Sequence, residues 1–143
     1  MGPTKRGKGS KIMAVADRNG LPIAVDVASA SPHEIKLVRS TLDAGFLEEP
    51  PQRLIGDKAY DSDALRADLA TEGIELITRQ RSNRNVRTQD GRPLRRYCRR
   101  WKIERLFAWL HNFRRVVIRW EFYPENFLGM VQLACAVILL GHL

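Results

Sequence analysis

An α/β fold, with helices packed on a mixed sheet, is predicted for this 143-residue chain by three features. Short apolar runs at 12–16, 21–28, 53–56 and 74–77 alternate with segments of helical spacing. The first two runs are joined through Arg18-Asn19-Gly20, a strong hairpin signal. A stretch free of Gly and Pro, Tyr97 to Arg115, carries a helical apolar stripe. The length suits one domain, residues 1–143, with a proper core.

Charge narrows the function classes. The net charge of +8 and the pI near 10.1 favour a polyanionic partner, nucleic acid first and an acidic membrane surface second. Cys98 and Cys135 sit in helical contexts with no pairing or metal motif, which predicts a reducing compartment and no disulfide. The N-terminus is basic and Gly-rich with no apolar core behind it, unlike a signal peptide.

Residues 1–10 are expected to form a flexible basic arm, either merely solvated or touching phosphates. Ile12–Ala16 and Leu21–Ala28 are apolar on both faces, so both belong inside a covered sheet. Asp17 suits the turn, and Asp26, which interrupts the second run, suits an edge or solvent-facing position. Ser31-Pro32-His33-Glu34 reads as a helix start, with Ser31 as cap, Pro32 in the first position, Glu34 closing a capping box and His33 exposed. Ile35, Val38 and Leu42 continue that helix to Gly45.

After the loop Glu48-Glu49-Pro50-Pro51, Arg53–Gly56 is a short strand ended by Asp57. Asp61-Ser62 can cap a helix carrying Leu65 and Leu69, stopped by Gly73, and Ile74–Ile77 is the next strand. Sites in such sheets form at the carboxyl ends of strands. Asp57 occupies one, where it can serve chemistry or simply cap the following turn. Residues 79–105 hold eleven Arg or Lys against two acids, Asp90 and Glu104. Residues 79–93 lack apolar periodicity, which predicts a long basic loop whose Arg79, Arg81, Arg84, Arg87 and Arg92 contact phosphates. No base-reading motif is visible.

On the helix predicted from Tyr97 to Arg115, Ile103, Leu106, Leu110, Phe113 and Val117 share one face at about 100° per residue. Tyr97, Arg100, Glu104, His111 and Arg115 share the other. Glu104 is the sole carboxylate from Pro93 to Trp120, so the helix presents one acid inside a cationic stripe. A last helix, Pro124 to Leu140, is too short an apolar run for a membrane span, which needs about 20 residues, and reads as a buried core helix.

Repeats and a phosphate-loop glycine motif are absent, nucleophilic Ser or Cys catalysis has no support, and no histidine has a second at metal-ligand spacing. What remains is a basic domain with Asp57 at a strand tip and Glu104 on an arginine-lined helix. Two carboxylates from different elements can hold Mg²⁺ through oxygen ligands, an arrangement that activates a phosphodiester for in-line attack. That chemistry usually takes about three carboxylates.

Gly56-Asp57-Lys58-Ala59-Tyr60-Asp61 resembles the motif around the second Asp of bacterial insertion-sequence DDE transposases. Tyr97, Arg100 and Glu104, followed by His111, resemble the family signature Tyr-x2-Arg-x3-Glu-x6-Lys, with His111 in the lysine position. Ile103-Glu104-Arg105 followed by Phe107-Ala108-Trp109-Leu110 and Arg114-Arg115 is also typical, as are the Lys5–Lys11 entry and Ser31–Glu34. The likeness runs nearly end to end.

The resemblance implies a ribonuclease-H-like sheet flanked by helices and lacking its first strand. It implies cleavage and strand transfer at insertion-sequence ends with Mg²⁺, for which Mn²⁺ substitutes. Asp57 and Glu104 would be catalytic metal ligands. Tyr97, Arg100 and His111 would position DNA, with Lys5, Arg6, Lys8, Lys11 and the loop arginines contacting phosphates. Partners would be double-stranded DNA at element ends and target, an upstream transposase segment or a second copy, and the location cytoplasmic at the bacterial nucleoid. The first catalytic Asp of the family precedes the Lys5–Lys11 stretch, so the chain resembles the carboxyl-terminal part of a transposase catalytic domain. Two alternatives stand beside this: a non-catalytic DNA-binding remnant, and a small autonomous nuclease with Asp26 as third ligand.

Overall fold

Asp17 builds the first turn. Its Oδ1 accepts from the backbone N–H groups of Asn19 and Leu21, both at 2.8 Å, and Gly20 takes φ +84°, which suits glycine. In this computed structural model, which describes residues 9–80, 82 and 94–143, the turn joins β1 (Ser10–Ala16) to β2 (Pro22–Ser29). The strands pair antiparallel, Ile12 with Val27 and Ala14 with Val25, with an irregularity at Val15/Ala16. Pro22 opens β2, a position that asks for no ladder hydrogen bond. The first eight residues of the basic arm, and Arg81 and residues 83–93 of the basic loop, lie outside the described residues.

The chain forms two units, Met1–Leu47 with Lys102–Leu143, and Glu48–Trp101. In the first, pleating sends Ile12, Ala14, Val25 and Val27 to one face of the hairpin. There they join a core of Leu106, Leu110, Val116, Phe127, Val131, Ala134, Cys135 and Ile138. The other face, with buried Met13 and Ala24, meets α1 (Glu34–Asp43), whose Val38 and Thr41 are buried. Phe46 N–H donates to the Ile23 carbonyl at 2.8 Å, tying the end of α1 to β2.

The start of α1 differs from expectation. His33, exposed and extended, is the cap, its Nδ1 accepting from the Ile35 N–H at 3.3 Å. Pro32 holds Ser31 out of the helical region, and Lys11 engages both the Pro32 carbonyl and the Glu34 carboxylate, each at 2.8 Å. Glu34 therefore answers a strand lysine instead of closing a capping box.

The helix expected from Tyr97 to Arg115 is divided. It comprises α3 (Leu94–Tyr97), a 3₁₀ turn Cys98–Arg100, α4 (Trp101–Leu110) and α5 (Arg114–Val117). Arg95/Arg99 and Arg96/Arg100 are like-charged i,i+4 pairs, which disfavour a regular helix there. After Leu110, Asn112 and Phe113 close short turns onto the carbonyls of Trp109 and Leu110, and Phe113 is extended. The interruption shifts the stripe by one residue, so Val116 is buried and Val117 is exposed. α6 (Pro124–Leu140) has its expected bounds but buries one face, from Phe127 to Ile138, and leaves Leu133, Val137 and Leu140 exposed. Among the described residues no helix is long and apolar enough to cross a membrane.

In the second unit β3 (Arg53–Ile55) and β4 (Glu75–Ile77) pair in parallel, Ile55 beside Ile77, linked through α2 (Asp63–Thr71). Ser62 caps α2 by accepting from the Leu65 N–H at 3.3 Å. Leu65 and Leu69, one turn apart, are buried with Ile74, Leu76 and Ile77, and Gly73 ends the segment at φ +76°. The expected α/β mixture is thus present as two separate ladders, one antiparallel and one parallel, with helices against them.

Candidate active site

The parallel register brings chemistry to one strand end. Asp57 and Arg79 each lie two residues beyond the Ile55–Ile77 pair, so both emerge at the carboxyl end of the ladder, and both are exposed. Asp57 caps a one-turn 3₁₀ helix (Lys58–Tyr60), its Oδ1 accepting from the Ala59 N–H at 2.7 Å. That bond fixes the carboxylate while using one oxygen. The guanidinium of Arg79 lies 5.4 Å from the centre of the Tyr97 ring, a cation–π distance. Tyr97 and Arg100, both half-buried, belong to this unit as well.

Beneath the Asp57 turn is a polar brace unassigned by sequence reasoning. Asp61 is buried, its side chain 1% exposed, with Arg66 Nη2 at 3.3 Å. The same nitrogen donates to Thr78 Oγ1 at 3.2 Å, and Arg66 Nη1 reaches Asp63 at 3.0 Å. Asp61 follows the capped turn and Thr78 follows β4, so Arg66 ties the two strand exits together. A buried carboxylate needs such a partner. The available signal was Asp61 five residues before Arg66, across the Ser62 cap.

Glu104 belongs to the other unit, exposed in the first turn of α4. Its neighbours are anchored. Lys102 Nζ donates to the Arg18 carbonyl, and Arg105 Nη2 donates to the Asn19 carbonyl. Arg105 also lies 4.9 Å from the Trp109 ring centre. The φ of Gly20 calls for glycine, and a Cβ there would also stand 2.7 Å from Nη2 at the flexible end of Arg105, which would have to shift. Two cations three residues apart thereby set the register of the α4 turn that carries Glu104. His111 is exposed just past the end of α4.

The remaining sequence-derived positions divide. Lys11 is committed to Glu34 and Pro32, and Lys5, Arg6, Lys8, Arg81, Arg84 and Arg87 lie outside the described residues. Asp26 is half-buried on the α1 face of the hairpin. Its Oδ2 accepts from Ser40 Oγ at 2.9 Å and its Oδ1 from the Val27 N–H at 2.8 Å. That face is opposite the one packed with α4, so the first unit holds Asp26 and Glu104 on different sides of the hairpin. Hard carboxylate oxygens suit Mg²⁺ in type. Among the described residues no group of three or more His, Cys, Asp or Glu is gathered to hold a metal ion.

Residues 2–139 match the transposase DDE domain family. The chain is 35% identical over 145 residues to a Burkholderia cepacia protein described as a transposase for insertion sequence element IS402, covering 95% of this chain and 65% of that relative. It is 32% identical over 135 residues to a Brucella ovis protein described as a transposase for insertion sequence element IS6501, covering 90% of this chain and 96% of that relative. No solved structure matches. The chain belongs to the DDE transposase family of bacterial insertion sequences. It spans 65% of the length of the IS402 relative.

Proposed function

We propose that the chain supplies two of the carboxylates, Asp57 and Glu104, of a metal-dependent site that cleaves and joins DNA at insertion-sequence ends. The observation that carries this reading is Asp57, exposed and held by its own turn at the carboxyl end of a parallel strand pair beside Arg79. Divalent metal use is general in the family. Asp57 and Glu104 would hold Mg²⁺ or Mn²⁺, and a bound ion supplies Lewis acidity toward a phosphodiester. The chain's own residues do the rest. The Ala59 N–H orients the Asp57 carboxylate, Lys102 and Arg105 seat the α4 turn bearing Glu104, and Arg79, stacked on Tyr97, offers charge to a phosphate. Arg100 and His111 would position the DNA end. Lys5, Arg6, Lys8 and the arginines of residues 79–93 would line the backbone path.

A ribonuclease-H-like sheet is the fold that fits this reading. The outer edge of β1 and the parallel β3–β4 pair carry no further strand partner among the described residues. We assign the third carboxylate to an upstream segment that adds a strand of its own. Residues 1–143 would then act as part of a single catalytic domain at the bacterial nucleoid. Titration calorimetry with Mn²⁺ tests the carboxylates: binding that is weakened in both Asp57→Asn and Glu104→Gln supports the assignment, and equal binding in all three proteins refutes it. Strand transfer of pre-cut element ends, silent for the bare chain and restored by the upstream segment, tests the missing part.

A second reading, DNA binding without catalysis, is favoured by the +8 charge. It predicts duplex affinity that falls steeply with salt and ignores metal.

A further inference from the structure

Between α5 and α6 the chain turns outward three large aromatic side chains: Trp120 is 64% exposed, Phe122 86% and Tyr123 62%. Single exposed apolar residues are ordinary, but three within four positions form a patch that marks an interaction site. This loop is braced. Arg119 lies under it, donating from Nε to the Glu121 carbonyl at 2.8 Å, from Nη2 to the Phe122 carbonyl at 2.7 Å and from Nη1 to Ser10 Oγ. Its guanidinium lies 5.7 Å from the ring centre of Phe127, which is buried in the core. Glu121 turns inward to Arg115 at 3.2 Å and to the Trp120 N–H at 3.2 Å. Phe122 and Tyr123 meet edge to face at 5.2 Å. The inward groups are the polar ones, and the outward groups are π-faces.

Charge decides the partner. The loop's one carboxylate is already neutralised by Arg115, while exposed Arg114 lies on the preceding turn and exposed Glu125 on the following one. A second copy would bring another +8 against this surface. An anionic partner with flat apolar faces suits it, and unpaired DNA bases have both properties: rings that stack on aromatics and a phosphate backbone for the arginines. We propose that Trp120, Phe122 and Tyr123 form a stacking platform for unpaired bases at a DNA end. The inference rests on the DNA-acting reading above and adds a base-contacting surface to a chain in which no base-reading motif is visible.

The test uses the full chain with two probes: a blunt duplex, and the same duplex carrying a single-stranded overhang. Wild type is expected to bind the overhang duplex more tightly and to show quenched Trp fluorescence, with the quenching lost in Trp120→Phe. Trp120→Ala and Phe122→Ala are expected to weaken overhang binding about ten-fold each, since base stacking is worth roughly 1–3 kcal/mol per base. Blunt-duplex affinity and the salt slope should hold, and Trp120→Phe should retain most of the affinity. Both positions are exposed, so melting temperatures should match wild type. Equal overhang affinity in wild type and the Ala variants overturns the platform while leaving duplex binding, and the reading it rests on, in place. Self-association abolished by Trp120→Ala with DNA affinity unchanged also overturns it, in favour of a protein interface. No binding to either probe by wild type at low salt overturns both.

Discussion

The Lys11 ammonium lies 2.8 Å from a Glu34 carboxylate oxygen and donates to the Pro32 carbonyl at the same distance, which joins β1 to the first turn of α1. The hydrogen bond from Lys11 first, then one from the backbone N–H of Glu34 itself, and after these the Lys11 charge, hold the Glu34 carboxyl below its usual value. A carboxylate with a lowered folded pKa contributes stability above its unfolded pKa, and that contribution disappears as pH falls through the folded one. The pair is partly exposed, so its worth after solvent screening is about 0.5–1 kcal/mol. Glu34→Gln should be less stable than wild type at pH 7 by that amount, and the two melting curves should converge as the pH is taken well below 4.5, the ordinary value for a glutamate. A constant gap down to strongly acidic pH would assign the loss to helix capping instead.

Gly20 is constrained by φ +84°, and a Cβ there would also press on the flexible end of Arg105. Gly20→Ala should cost about 1–3 kcal/mol in urea unfolding. Adding Arg105→Ala to Gly20→Ala should relieve the crowding part and leave the backbone part. Strict additivity of the two substitutions would show that the side-chain contact contributes nothing.

Asp57 and Asp61, four positions apart, should respond oppositely. Asp57 is exposed, and Asn keeps the acceptor for the Ala59 N–H, so Asp57→Asn should leave stability within about 0.5 kcal/mol of wild type. Asp61 is buried against Arg66, which keeps Asp63 and Thr78 as partners, so Asp61→Ala should cost about 1–3 kcal/mol through the lost buried hydrogen bond. Denaturant unfolding of both variants checks this. A large loss in Asp57→Asn would mark it as structural.

Cys135 is a buried thiol whose pKa burial raises to about 11, whereas Cys98 is exposed. One equivalent of thiol should react quickly with a disulfide reagent at pH 8 in the native protein, and two after denaturation. Rapid reaction of both in the native state would mean that the α6 core opens.

Among the proposed site residues, Asp57 was legible because a strand that ends on a carboxylate before a turn is a local pattern. The Asn-Gly hairpin, the α6 bounds and the Ser62–Gly73 segment were legible for the same reason: turn chemistry and apolar spacing act within a few residues. The misreadings were long-range. Lys11, which looked like one more basic arm residue, took Glu34 away from its capping box. The Tyr97–Arg115 stripe looked continuous at 100° per residue, but arginine repulsion and the turn after Leu110 divided it, exchanging Val117 for Val116 in the core. The Asp61–Arg66–Thr78 brace and the Lys102 and Arg105 anchors could not be read, since each joins elements that meet only on folding.

Composition and order along the chain thus determined the basic character, the strand and helix sequence, and the two motif carboxylates with their family. These depend on local spacing and charge, which are properties of the covalent chain. The tertiary structure alone decided which lysine is tied to Glu34, which face of the hairpin holds Asp26, which residue of α5 is buried and which aromatics point outward. Those outcomes turn on desolvation and on partners dozens of residues away, and neither exists until the chain packs.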